Sequence, residues 1–243
     1  MNRFYDALAS WWPVLSPPED YAGEAAELGS RLRERRPRAR TLLELGSGGG
    51  HLASHLRGAF DCTLTDRSPA MLEVSRRLNP GCAHHPGDLR TLRLDHTFDL
   101  VLAHDAIDYM TTEDDLRAAF ATARHHLAPG GLALFVPDHV AEAYEPGTDV
   151  SGSDAPDGRS ARLFEWSLPP GPDGTVDVHY LFALREPDGA VHTEAERHVI
   201  GLFPRHTWER LLAEAGFTVE VVVERTDEDH TPRLLFFGHL GAP

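Results

Sequence analysis

The sequence predicts an α/β fold, a mostly parallel sheet flanked by helices and carrying a small antiparallel β excursion late in the chain. Three observations predict it. Short apolar runs alternate with amphipathic segments of helical length up to residue 136, the order produced by parallel strands joined through crossover helices. A glycine-rich turn at 46–50 closes the first apolar run abruptly. Over residues 162–200 the pattern becomes three strand-length segments separated by Pro, Gly and Asp turns, as antiparallel hairpins require.

Taken in order, residues 20–35 place Tyr21, Ala25, Leu28 and Leu32 on one helical face after Pro17-Pro18. Residues 41–45 read as a buried strand, 46–50 as the turn and 51–56 as a helix. The unit repeats with a strand at 61–65, a helix at 69–78 bearing Met71, Val74 and Leu78, and a short stretch at 82–85. Residues 98–103 form a further buried strand; 112–127 form a helix with Leu116, Phe120, Ala123 and Leu127 in one stripe, turned by Pro129-Gly130-Gly131 into a strand at 132–136. Residues 144–159 lack an apolar period and read as a loop. The excursion strands are 162–168, 175–185 and 191–200, after which a helix at 205–215 and strands at 218–224 and 233–237 resume the α/β pattern. The expected organisation is an N-terminal helical lid segment at 1–36, a core at 37–140 and 204–243, and an antiparallel insertion at 141–203 that covers the substrate side.

Composition narrows the function. With 23 Lys+Arg against 38 Asp+Glu in 243 residues, the net charge of −15 disfavours a nucleic-acid partner. No apolar run approaches the roughly 20 residues of a bilayer span, and the start MNRFYDALASWWP lacks the pattern of a secretory signal. The expectation is a soluble cytoplasmic protein with no membrane partner. Cys62 and Cys82, the two cysteines, make neither a disulfide framework nor a four-thiolate metal site; they read as core residues. All the basic residues are arginine, which removes lysine Schiff-base chemistry and the P-loop lysine.

The turn carries Gly46, Gly48 and Gly50, whereas the dinucleotide pattern G-x-G-x-x-G would need glycine where His51 stands. Asp66, 20 residues beyond Gly46 at the end of the next strand, suits a ribose hydroxyl. Through Glu44-x-Gly46-x-Gly48-x-Gly50, Asp66-Arg67-Ser68-Pro69-Ala70-Met71-Leu72, Gly87-Asp88-Leu89 and Leu127-Ala128-Pro129-Gly130-Gly131, over the stretch 41–136, the chain resembles the class I S-adenosylmethionine-dependent methyltransferases. In layout it is similar to small-molecule N-methyltransferases, including the amino-sugar N,N-dimethyltransferases.

That resemblance implies a Rossmann-like, mostly parallel seven-stranded sheet, with S-adenosyl-L-methionine as cofactor, S-adenosyl-L-homocysteine as product and no metal. It further implies that Gly46, Ser47, Gly48 and Gly50 line the methionine and ribose, and that Glu44 orients the turn or meets the ammonium group. Asp66 would bind the ribose, Arg67 and Met71 flank the adenine, Asp88 accept from its amine, Leu89 offer a backbone N–H and His104 sit near the methyl group.

A methyl sulfonium is already activated, so catalysis rests on positioning and on removing the acceptor's proton. Candidates for that proton lie beyond the fourth and fifth strands: His104 first, then Tyr109 and Asp105, with Asp108, Asp138 and His139 beside them. His179, Tyr180, His192, Glu194, Glu196 and His198 on the excursion would cover the substrate, face solvent or build a homodimer contact. The aromatics Tyr5, Trp11, Trp12 and Tyr21 form either a lid or packing. N-methylation of a small molecule is the expected reaction. O- or C-methylation, a nicotinamide oxidoreductase and a non-catalytic cofactor-binding protein are the alternatives.

Overall fold

A computed structural model describes residues 3–225 and 232–241. Strands β1 (Thr41–Leu45), β2 (Asp61–Asp66), β3 (Ala83–Pro86), β4 (Phe98–His104) and β5 (Leu127–Val136) lie parallel in the order β3-β2-β1-β4-β5. Helices α1 (Trp12–Leu15), α2 (Ala22–Arg35), α3 (His51–Leu56), α4 (Pro69–Leu78) and α5 (Glu113–His126) precede or link them. Because β1 is buried on both faces, leucines occupy three of its five positions without polar alternation, and the buried Glu44 is its one charged residue. Leu42 belongs to the same buried cluster as Leu28, Leu32 and Leu52 on one side, while Leu43 and Leu45 belong with Phe120 and Phe135 to the cluster on the other.

Within β5 the expected turn at Pro129-Gly130-Gly131 is a bulge. The ladder pairs Phe98 with Leu127 and then Leu100 with Leu132, so residues 128–131 loop out within the strand. Gly130 adopts φ 74° there.

The insertion is a separate four-stranded antiparallel sheet of β6 (Gly147–Ser151), β7 (Ser160–Ser167), β8 (Thr175–Arg185) and β9 (Val191–Gly201). The sequence missed β6, placing it inside the loop at 144–159. It is an edge strand exposed along its whole length, and a strand with no buried face has no apolar alternation to read. The chain then returns through α6 (Arg205–Glu214) to β10 (Thr218–Val223) and β11 (Leu234–His239), the latter antiparallel to both β5 and β10. These two complete the seven-stranded sheet. No helix among the described residues is long and apolar enough to cross a membrane.

The aromatic N-terminal segment fills the inner face of the second sheet. Phe4 stacks on Phe182 at 4.8 Å between centroids, and Leu8, Trp11, Val14 and Leu15 join Ala161, Phe182 and Leu184 in one cluster. Segment and insertion therefore share a core.

Gly50 opens α3 at φ 72°. A Cβ there would lie 2.2 Å from Ser75 Oγ and 2.5 Å from Asn79 Nδ2. Gly50→Ala is expected to destabilise the protein by about 2 kcal/mol, read as a lower denaturant midpoint at unchanged slope.

Candidate active site

The carboxyl ends of β1, β2, β4 and β5 open into a cavity of about 600 Å³, roofed by the inner face of the second sheet and by the N-terminal segment. This is where an open α/β sheet binds its ligands. A larger, more open groove of about 810 Å³ between Arg38, Arg40, Arg57 and Cys82 lies at the opposite strand ends, away from the carboxylates gathered in the first.

At the first end of the cavity, Asp66 Oδ2 accepts the Gly48 N–H at 2.9 Å and Oδ1 accepts the Ser68 N–H at 2.7 Å. Burial raises the Asp66 pKa, and these two amides hold it down. Gly46 and Gly48 take φ 74° and 52°, values that favour glycine. At Gly46 a Cβ would also strike Ala106 Cβ at 2.3 Å. Glu44 is 3% exposed and its Oε2 has no hydrogen-bond partner. Burial pushes its pKa up to about 7, opposed by nearby His104.

Ser47, Arg67, Met71 and Leu89 line the same cavity. Gly50 does not: it faces Ser75 and Asn79, so the expected ligand-lining role becomes a packing role. Asp88 also borders the cavity, yet both its oxygens are taken by Arg90, through Nε at 2.9 Å and Nη2 at 2.7 Å. Arg90 extends the pair to Asp115 at 2.8 Å. The Asp88 carboxyl is consequently held below its ordinary value, first by Arg90.

At the far end, His104 is 7% exposed and its Nε2 lies 2.6 Å from Glu24 Oε1, 3.0 Å from Asp105 Oδ1 and 3.2 Å from Arg233 Nη1. The leading candidate for a free base is therefore fastened at that nitrogen. Arg233 also pairs with Glu24 and with Glu224. Asp105 is the one non-glycine described residue at positive φ, 46°, a strained backbone of the kind found at functional sites. Asp108 Oδ2 accepts the Asp138 N–H at 2.9 Å. Burial, reinforced by Asp138, raises the carboxyl pKa values of Asp105 and Asp108 well above the ordinary range. Glu165, on the inner face of β7, is raised by burial too and is bonded by Ser167 Oγ at 2.8 Å.

Tyr5 and Tyr109 meet at 2.8 Å between hydroxyls, and Tyr109 reaches His198 Nδ1 at 2.7 Å. Of the excursion residues, Tyr180 lines the cavity and His198 lies buried behind it, whereas Glu194 pairs with Arg3 and His192 meets Trp11. Sequence reasoning missed Glu24, Arg90, Glu165 and Arg233. Each lies in a segment whose local pattern signals only helix, turn or strand; proximity in space brings them together.

A family model described as a methyltransferase domain matches residues 19–222, and the chain belongs to that family. Among similar proteins, the dTDP-3-amino-3,6-dideoxy-alpha-D-glucopyranose N,N-dimethyltransferase of Streptomyces fradiae is 31% identical, over 83% of this chain and 79% of that one. Among solved structures, Streptomyces venezuelae DesVI is 29% identical with a TM-score of 0.79, covering 92% of both chains. SAM-bound CalS10, an amino pentose methyltransferase from Micromonospora echinaspora, is 28% identical with a TM-score of 0.75, covering 90% of this chain and 91% of that one.

Glu44 gives a pH signature. Its pKa is higher in the folded protein than the 4.5 of a free side chain. The stability this contributes is complete below about pH 4.5 and is lost as pH rises through about 7. Denaturation across pH 5–8 is expected to show a decline that flattens in Glu44→Gln.

Proposed function

We propose that the protein transfers methyl groups from S-adenosylmethionine to the amine of an amino sugar. The observation that carries this is the charge of the cavity: carboxylates at both ends, Glu44 and Asp66 at one, Asp105, Asp108, Asp138 and Glu165 at the other. Two carboxylates at the glycine turn repel the pyrophosphate of a nicotinamide dinucleotide and suit a cofactor bearing an ammonium and a ribose. The unpartnered Glu44 Oε2 fits the ammonium group, and the outer lone pairs of Asp66 fit the ribose hydroxyls. Met71, fully buried at the wall, and Leu89 fit a flat base. When bound, the cofactor supplies a sulfonium-activated methyl group.

The chain's own residues then handle the acceptor. The acidic far wall attracts a cationic amine. Asp105 and Asp108, whose raised pKa values make them stronger bases than ordinary carboxylates, take the proton the amine must lose. His104, held by Glu24, fixes Asp105 from the side. The segment at 1–36 and the insertion at 141–203 exclude water from the substrate side. The amino-sugar relatives support this acceptor class over a hydroxyl or carbon.

Incubation with methyl-labelled S-adenosylmethionine and a nucleotide-linked amino sugar is expected to yield mono- and dimethylated amine by mass spectrometry. Transfer only to hydroxyl acceptors would overturn the proposal. Asp105→Asn should lower kcat by about a hundredfold while leaving product-cofactor affinity in place.

The same proposal extends to assembly. Val150, Trp166 and Leu181, exposed at 65%, 46% and 43%, share the outer face of the second sheet, which would pair with a second copy of this chain. Light scattering should give a dimer for the wild type and a monomer for Trp166→Glu.

A further inference from the structure

From the cavity wall inwards runs a hydrogen-bond chain joining residues far apart in sequence, Tyr5 Oη to Tyr109 Oη at 2.8 Å and Tyr109 Oη to His198 Nδ1 at 2.7 Å; beyond it His198 Nε2 faces Glu196 Oε1 at 3.6 Å, outside hydrogen-bond distance. Glu196 Oε2 in turn accepts the Phe4 N–H at 2.8 Å. His198 is 1% exposed, with the ring of Tyr180 edge-on at 4.7 Å. No group reaches its Nε2 within hydrogen-bond distance among the described residues, Glu196 being its nearest charged neighbour.

A neutral imidazole carries one N–H, so the chain has two directions. With the proton on Nδ1, the bare Nε2 lone pair would face the Glu196 carboxylate in a buried, poorly screened setting, where such repulsion is strong. With the proton on Nε2, the same contact is attractive and Nδ1 becomes an acceptor. The single proton of Tyr109 is then committed to His198, so the bond between the phenols must use the proton of Tyr5. Both hydroxyl protons then run along the chain towards His198, and the oxygen of Tyr5, a residue that lines the cavity, keeps a lone pair for a ligand.

Resting on the N-methylation proposed above, we infer that His198 is a positioning residue: through Tyr109 it turns the Tyr5 hydroxyl into a hydrogen-bond acceptor that holds an N–H of the acceptor amine and so aims the nitrogen lone pair. A primary or monomethylated amine offers that N–H; a neutral dimethylated amine does not. The chain thereby favours acceptors that still have a methyl to receive. Burial, which lowers the His198 pKa, keeps the ring neutral and the chain directional.

Two measurements test this on the full-length protein. Nitrogen NMR of the histidine-labelled protein at neutral pH, assigned by difference with His198→Asn, should show His198 as the Nε2–H tautomer, with Nδ1 shifting in Tyr109→Phe. An Nδ1–H tautomer or an imidazolium would overturn the inference whatever the reaction. In transfer assays, His198→Leu should lower kcat/KM for the amine about tenfold, the loss of one hydrogen bond, with unchanged affinity for S-adenosylhomocysteine. His198→Asn, whose amide oxygen can stand where Nδ1 stood, should recover most of it. Equal losses in both variants, no loss in either, or a parallel loss of S-adenosylhomocysteine affinity would overturn it. A wild type that transfers nothing to any amine, with the Nε2–H tautomer in place, would sink the N-methylation proposal and with it the amine-holding role, leaving only the direction of the chain.

Discussion

The Asp66 carboxylate, which accepts the amides of Gly48 and Ser68 at once, is the constraint on which the site depends. It ties the glycine turn after β1 to the start of α4 after β2, and thereby fixes the two strand ends as one surface. Ser47 adds a second tie by donating its N–H to Thr65 O at 2.8 Å, and Asn79 a third through Gly50 O at 2.8 Å. These bonds hold only if the turn takes left-handed backbone values at positions 46, 48 and 50, which explains the glycine spacing in physical terms. Side chains there would also collide with Ala106 and Ser75.

From this anchor the cavity divides into two electrostatic tasks. The turn end presents carboxylates that are single and separately held, Glu44 by burial and Asp66 by amides. The far end gathers carboxylates close enough to raise one another's pKa. In the proposed reaction the first arrangement would recognise fixed positive charge and hydroxyls, and the second would exchange protons. The positive φ of Asp105 lies at the far end, braced by His104 and Arg233. Strain persists where surrounding contacts over-determine it, and here those contacts come from α2, β4 and the residue entering β11.

Much of this was legible in the sequence because its signals are local. The apolar runs of β1, β4 and β5, the glycine turn and Asp66 each announce themselves within a few residues, since a strand buried on both faces and a turn at positive φ restrict which residues can stand there. The edge strand β6 was hidden because its residues bury nothing. The bulge at 128–131 read as a turn because Pro and Gly serve both. Within the site, Asp105 and Tyr109 were visible from their place after a strand end. Glu24 and Arg233 were not, because nothing in an amphipathic helix or at a strand entry distinguishes a solvated charge from one that will meet His104 across the fold. Asp88 shows the converse: its motif does not reveal that Arg90, two residues on, bonds both of its oxygens. Nor did the alternation in β9 reveal that His198 would find Tyr109 and Tyr5.

The most direct measurement is calorimetric titration of S-adenosylhomocysteine into the wild type and Asp66→Ala, with thermal unfolding to show that both are folded. Removing the carboxylate deletes the proposed ribose acceptor and frees the Gly48 amide, so affinity should fall at least about tenfold. An unchanged affinity in a folded variant would contradict the account.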